Sequence, residues 1–204
     1  MLGALKAAPK AAPGKTMPNP TEVPHQTTSI PALTWLGEKL QPSWSAAMIA
    51  GQLPEKTRPY VYGRMPAFEH YADVLARGLS HWHGFPARGG ELADGKPFET
   101  SAVQAGEMLV SEQGGFACTA CHDLGKRKAT APFEAPALNL AKAGARLRLT
   151  YFERWLLQPQ RLDPETKMPR YSDAARKTGI KHVMDGDAEQ QFNAIRGFLL
   201  SVKE

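Results

Sequence analysis

An all-α fold is expected for this chain, on three observations. Apolar residues recur at intervals of three and four along several separate stretches, the period of an amphipathic helix. Loops bearing proline and glycine separate those stretches. No segment shows the Val/Ile alternation of a half-buried strand. At 204 residues with a hydrophobic share of 42%, the chain has enough material for one generous domain or two small ones with a packed core.

Residues 1–28 are dominated by Ala, Pro, Lys and Thr, with prolines at 9, 13, 18, 20 and 24. Such a segment buries too little apolar surface to offset its ordering entropy, so an extended arm is expected. From Leu33 the texture changes: Trp35, Leu36, Leu40, Trp44, Met48 and Ile49 carry the helical period. Pro42 suits the first turn of a helix over about Ser43 to Ala50, where its missing N–H costs nothing. Tyr71, Val74, Leu75 and Leu79 mark a second helix, closed by Gly78 or Gly84. Residues 85–100 are rich in Gly, Pro, Asp and Glu and read as a linker and domain boundary.

A helix over about Ser101 to Ser111 follows, with Val103, Gly106, Leu109 and Val110 on one side, before Gly114-Gly115 releases the chain. Prolines 132 and 136 make 131–138 a loop. The next helix runs from about Thr150 to Leu157 and ends near Pro159. A loop holding Met168-Pro169 comes next. Asp187 is the N-cap of a closing helix, with Gln190 three residues inside and a stripe of Phe192, Ile195, Phe198 and Leu199.

The chain also echoes itself. Lys39-Leu40-x-x-x-Trp44 parallels Arg146-Leu147-x-x-x-Tyr151; Arg64-Met65-Pro66-Ala67-Phe68 parallels Lys167-Met168-Pro169-Arg170-Tyr171; Ala76-Arg77-Gly78-Leu79 parallels Ile195-Arg196-Gly197-Phe198. The first copy corresponds to the latter half of the second.

The two cysteines of the chain stand together in Cys118-Thr119-Ala120-Cys121-His122. C-x-x-C-H is the attachment spacing of a c-type haem: thiols about one helical turn apart each add to one vinyl group, and the next residue brings its imidazole under the iron. Three other readings of the pair are weaker. A dithiol redox motif belongs beside a βαβ pattern, which is missing. A zinc site needs four Cys/His ligands where Cys118, Cys121 and His122 supply three, two of them adjacent in sequence. A Cys118–Cys121 disulfide closes a loop too short to stabilise much and leaves His122 unexplained.

The order helix, C-x-x-C-H, proline loop, helix, Met-Pro loop, closing helix is that of class I c-type cytochromes, and the chain resembles that family from about Thr100 to Glu204. The resemblance implies a cytochrome c-like helical domain at 101–204 around one covalent haem c, preceded by a haemless helical half-repeat at 29–84. It further implies that Gly106 and Gly197 let the first and last helices cross closely. His122 is then the proximal ligand, its Nδ1–H bonded to the carbonyl of Pro136, and Met168 is the distal ligand. A thioether suits an electron carrier, since it favours ferrous iron and raises the potential. His182 and Met184 are nearer rivals for that role; His81 and His83 are more distant ones. The pattern R-L-x-x-x-Y with W-L-x-x-P and M-P is also similar to cytochrome domains of bacterial respiratory and dehydrogenase-associated multihaem proteins.

The expected function is therefore one-electron transfer by haem c, as a carrier or as a relay subunit of a respiratory or dehydrogenase-type complex, without bond-making catalysis. The alternative is a haem enzyme or a gas or redox sensor with an open sixth site. A periplasmic or otherwise extracytoplasmic setting is expected, with a leader missing, because Met1 to Lys6 is too short an apolar start for a signal. No run approaches the roughly 18 apolar residues of a membrane span.

Formal charge is +5, unevenly placed: 124–182 holds thirteen Lys/Arg against five Asp/Glu, and the rest of the chain is net negative. Without interleaved aromatics or a reading motif, nucleic acid is not the expected partner. A redox donor and acceptor are, at least one of them acidic, steered by Lys126, Arg127, Lys128, Lys142, Arg146 and Arg148. The first copy carries Trp35, Trp44 and Trp82 with no haem motif of its own. It should either fold against the second copy or complete a cytochrome domain whose motif lies elsewhere, which favours other subunits of a multihaem complex.

Overall fold

The computed structural model describes residues 33–55, 57, 65–87, 98–132 and 137–202. Residues 34–204 form one compact unit. The described residues are helical with isolated β-bridges and no named strand. The helices are α1 (Leu36–Lys39), α2 (Pro42–Ile49), α3 (Ala72–Trp82), α4 (Thr100–Val110), α5 (Cys118–Cys121), α6 (Ala143–Arg146), α7 (Leu149–Leu157), α8 (Pro159–Leu162) and α9 (Ala188–Ser201). No described helix is long and apolar enough to cross a membrane.

The second half is built around α9. Phe192, Ala194, Ile195, Phe198 and Leu199 are buried among Leu109 and Val110 of α4 and Phe152 and Leu156 of α7. Each large side chain so buried stabilises the fold by about 1.5–3 kcal/mol. The α4–α9 crossing is close enough to require a glycine, since a Cβ on Gly106 would collide with the Ala194 carbonyl. Gly197 does not face α4 itself; it lies against the ring of Phe98, two residues before that helix. Asp187 caps α9, its carboxylate accepting from the Gln190 N–H at 3.1 Å.

The first half packs α1 and α2 on α3. Pro42 is the first residue of α2. Gly78 does not end α3 but lies inside it, and the chain turns out only at Gly84, whose φ of 78° suits glycine. Of the four residues that mark this helix, Tyr71, Val74 and Leu75 are exposed and Leu79 is half-buried. Ala72, Ala76 and Ser80 are the buried face of α3, while Tyr71, Val74, Leu75 and Trp82 face out.

The two halves meet at the positions matched by the internal echo. Leu40 and Leu147 form an antiparallel bridge, with Gln41 N–H on the Arg146 carbonyl at 2.9 Å and Arg148 N–H on the Lys39 carbonyl at 3.1 Å. The contacts around it are exchanged: Lys39 lies over Tyr151 at 5.3 Å, and Arg146 lies over Trp44 at 5.3 Å. Gly37 packs on Leu79 of α3 much as Gly144 packs on Leu200 of α9. Glu38 is buried and paired with Arg154 at 2.8 Å; burial raises its carboxyl pKa, and Arg154 opposes the rise.

Arg148, expected on a positive surface, is wholly buried in this seam. It donates to the Leu40 carbonyl (3.2 Å), Ser80 Oγ (2.9 Å) and the Pro86 carbonyl (2.8 Å), and lies over the Phe85 ring. It is a structural pin between the halves. Arg148→Met should lower the unfolding free energy by about 3 kcal/mol, because three acceptors lose a charged donor away from water. Urea denaturation checks this, and a loss under 0.5 kcal/mol would show that water replaces the pin.

Asp187 gives a pH prediction. The Gln190 N–H, and then Lys177, hold its carboxyl below the usual aspartate range. A depressed carboxyl contributes stability above the unfolded pKa and loses it as pH falls through the folded one. Thermal melts should therefore show a steeper fall below about pH 4 for the parent than for Asp187→Asn, whose amide oxygen still caps but does not titrate.

Candidate functional site

The Cys118–His122 stretch hangs from the end of α4. Phe116 N–H donates to the Leu109 carbonyl at 2.7 Å and Ala117 N–H to the Ser111 carbonyl at 2.9 Å, so a carbonyl of the helix's last turn and that of its C-cap anchor the chain that leads into the motif. Ala117 takes a left-handed conformation, φ 55° and ψ 36°, which costs a non-glycine residue of order 1 kcal/mol and turns the chain into α5. This single turn puts Cys118 and Cys121 at its two ends.

Cys118 is buried within the α4–α7–α9 core, and Cys121 is half-buried; both are free thiols. Burial pushes the Cys118 thiol up to about 12. Among the described residues no three His, Cys, Asp or Glu side chains converge as a metal-ion site.

His122 is fixed by backbone on three sides. Its N–H donates to the Cys118 carbonyl at 3.0 Å, it bridges in parallel to Ala137, and Ala137 N–H donates to the Cys121 carbonyl at 2.9 Å. Its Nδ1 lies 2.7 Å from the Leu138 carbonyl oxygen. A carbonyl only accepts, so Nδ1 carries the proton and Nε2 keeps its lone pair. Burial lowers the imidazole pKa, against the opposing pulls of the Leu138 carbonyl and Asp123, which favours the neutral ring.

Pro136 lies outside the described residues, and the carbonyl that meets Nδ1 is that of Leu138, two residues later. Asn139 holds this segment: its Oδ1 accepts from Gly125 N–H (2.9 Å) and Ala141 N–H (3.0 Å), and its Nδ2 donates to the Gly125 carbonyl (2.8 Å). Asp123 accepts from Ala129 N–H at 2.9 Å and pairs with Lys128 at 2.9 Å, which hold its carboxyl below the usual range. The short polar side chains beside the motif, Asp123 and Asn139, carry a signal for this role in their preference for binding local backbone.

Met168 is half-buried against the same core as Cys118. Trp155 Nε1–H donates to its sulfur at 2.8 Å, and Gln160 Nε2 donates to its carbonyl at 2.7 Å, so α7 and α8 pin the loop. Tyr171, three residues on, brings the loop to the motif. Its ring pairs with Phe116 at 4.8 Å, and its hydroxyl pKa is raised, chiefly by burial and further by Cys118 and Cys121.

Met184 is half-buried on the same core, while His182 is exposed. His81 is exposed on α3, and His83 is tied to the Leu79 carbonyl at 2.8 Å beside Gly37. Of the six basic residues expected on one face, Lys126, Arg127 and Lys128 are exposed. Lys142 pairs with Glu55 at 3.0 Å and is only 17% exposed, Arg146 is stacked on Trp44, and Arg148 is buried. A separate cleft of about 440 Å³ is lined by Arg154, Arg161, Arg170 and Arg176 with Trp35 and Ser172, and no residue of the motif borders it.

The donor set fits a haem better than a bare ion. A porphyrin brings its own four nitrogen donors and asks of the protein one or two axial atoms plus anchorage. His122 offers an oriented, neutral Nε2, and Cys118 and Cys121 stand one turn apart beside it. No family model, curated protein or solved structure matches the chain.

Proposed function

We propose that this chain is a one-electron transfer protein carrying one covalent haem c, of the class I cytochrome kind in its second half. The observation that carries the reading is the His122 arrangement: an imidazole at the end of a C-x-x-C turn, its Nδ1 held at 2.7 Å by the Leu138 carbonyl so that Nε2 is left for iron. When bound, the haem would supply Fe(II)/Fe(III) exchange near neutral pH without further bond-making.

The chain's own residues would do the rest. Cys118 and Cys121 would anchor the group as thioethers, and the Leu138 carbonyl would make His122 a stronger donor. Met168, brought to the shared core by Tyr171 and Trp155, would supply the sixth ligand. Leu109, Val110, Phe152, Leu156 and Phe192 would keep water from the site. Attachment of this type goes with an extracytoplasmic setting. Lys126 and Arg127, exposed just after the motif, would meet an acidic redox partner.

A second reading, a haem enzyme or sensor with a labile sixth site, has one observation in its favour. The Trp155 N–H already engages the Met168 sulfur, which weakens the thioether as a donor.

Intact mass under denaturing conditions should exceed the polypeptide by about 616 Da, one haem on two thioether bonds, and a pyridine haemochrome assay should give one haem per chain. No added mass would sink the proposal. Met168→Ala should lower the reduction potential and let carbon monoxide bind readily, while the parent resists it. Carbon monoxide binding equally fast to both would give the site to the enzyme or sensor reading.

Ionic strength tests the partner. Reduction by an acidic donor protein should slow about tenfold between low salt and 0.5 M, and Lys126→Glu with Arg127→Glu should reproduce the loss at low salt. Flat kinetics would make these residues an ordinary solvated surface.

A further inference from the structure

The stripe of α9 that carries Ala194 and Gly197 is covered by α4 and the segment leading into it. The Ala194 carbonyl meets Gly106, and a Cβ on Gly197 would lie 2.6 Å from the Phe98 ring. By the internal echo, Leu75 of α3 stands where Ala194 stands in α9, and Gly78 where Gly197 stands. Among the described residues nothing covers that stripe on α3. Nothing lies within 4 Å of where a Cβ on Gly78 would be. Leu75 is 44% exposed, Tyr71 66%, Val74 71% and Trp82 84%.

Leu75, Gly78 and Trp82 of α3 are spaced three and four apart, with Tyr71 at the N-cap four residues before Leu75, which is the seam spacing of a helix that packs along another helix. The buried side of α3 is already satisfied by Ala72, Ala76 and Ser80. A glycine in the middle of an exposed helix face weakens the helix, and it serves a purpose where another backbone comes close, as at Gly106. Large apolar side chains exposed together along one helix face mark an interaction site.

We propose that the Tyr71–Leu75–Gly78–Trp82 stripe of α3 is the docking face for one helix of a separate chain. That helix is of the α4 kind: amphipathic, with a small residue at the crossing and an aromatic residue some two turns ahead of it. The two chains together complete a second repeat of the kind that α4 and α9 complete within this one. Met65, 49% exposed, belongs to the same half as this face and is the echo counterpart of Met168. That the incoming chain also carries a haem motif rests on the electron-transfer reading; the docking of the helix does not.

The test uses the full holoprotein and, as the probe, a fluorescently labelled synthetic peptide with the sequence of residues 98–111. A second peptide carries Gly106→Leu. The first should bind saturably to the parent protein, and about tenfold more weakly to Gly78→Leu and to Trp82→Ala. The second peptide should bind weakly to all three. Gly78→Leu meets open space and adds helix propensity, so its circular dichroism and melting should match or exceed the parent's.

Equal binding to the parent and to Gly78→Leu, or no binding to either, overturns the proposal. Light scattering covers the other occupant: a dimer of the chain alone that Gly78→Leu dissociates would make a second copy the natural partner, and the proposal would fail. The peptide carries no haem, so a failed haemochrome assay would leave this result standing.

Discussion

The burial of Arg148 is the constraint on which the two halves depend. A guanidinium removed from water is tolerable only where carbonyls and hydroxyls replace its hydration. Those acceptors come from three places in the first half: Leu40 between α1 and α2, Ser80 in α3, and Pro86 beyond it. Each is in place only if the first half is folded and docked. Arg148 directly precedes α7, so the same residue sets where α7, with Phe152 and Trp155, begins. The Leu40–Leu147 bridge and the exchanged cation–ring contacts add modest energies, but they fix the register in which the charge is satisfied.

That seam reaches the candidate site through α7. One face of the helix gives Phe152 and Leu156 to the core that holds Cys118, and Trp155 reaches the sulfur of Met168. Arg154 on the same helix returns to Glu38 of α1 and lies over Trp35 at 4.6 Å. Thus the first half has a structural part in the candidate site although neither His122 nor Met168 comes from it. It holds the helix on which the Met168 loop rests.

Much of this was legible in the sequence where one local rule decided the outcome. The 3–4 period placed α4 and α9, Pro42 opened α2, and Asp187 capped α9. What was not legible depended on partners distant in the chain. Arg148 reads as one more surface cation because its three acceptors lie 62 to 108 residues away. Gln191 reads as a polar residue on α9, yet it is fully buried, accepting from Thr178 and donating to the Ile180 and Val183 carbonyls, and it pins the loop ahead of that helix. Pro159 reads as a stop but also begins α8, since proline is as suited to the first turn of a helix as to the end of one. Of the apolar residues that mark α3, Tyr71, Val74 and Leu75 are nonetheless exposed, because periodicity identifies an apolar face without saying what covers it.

The two candidate axial residues are held by different means, and this bears on how the site would work. His122 sits in a mesh of backbone hydrogen bonds braced by Asp123 and Asn139, and its ring is oriented by the one bond from Nδ1 to the Leu138 carbonyl. Met168 is held by side chains on α7 and α8: a Trp155 N–H to its sulfur and a Gln160 amide to its carbonyl. The Met168 thioether is thus positioned from two helices, α7 and α8, whereas the imidazole is positioned by the backbone that follows its own motif. Under the electron-transfer reading the proximal side would fix the position of the iron, and the distal side would tune its potential. Trp155 stands at the point of adjustment, because the hydrogen bond it gives the sulfur withdraws the electron density that a thioether would otherwise offer the metal.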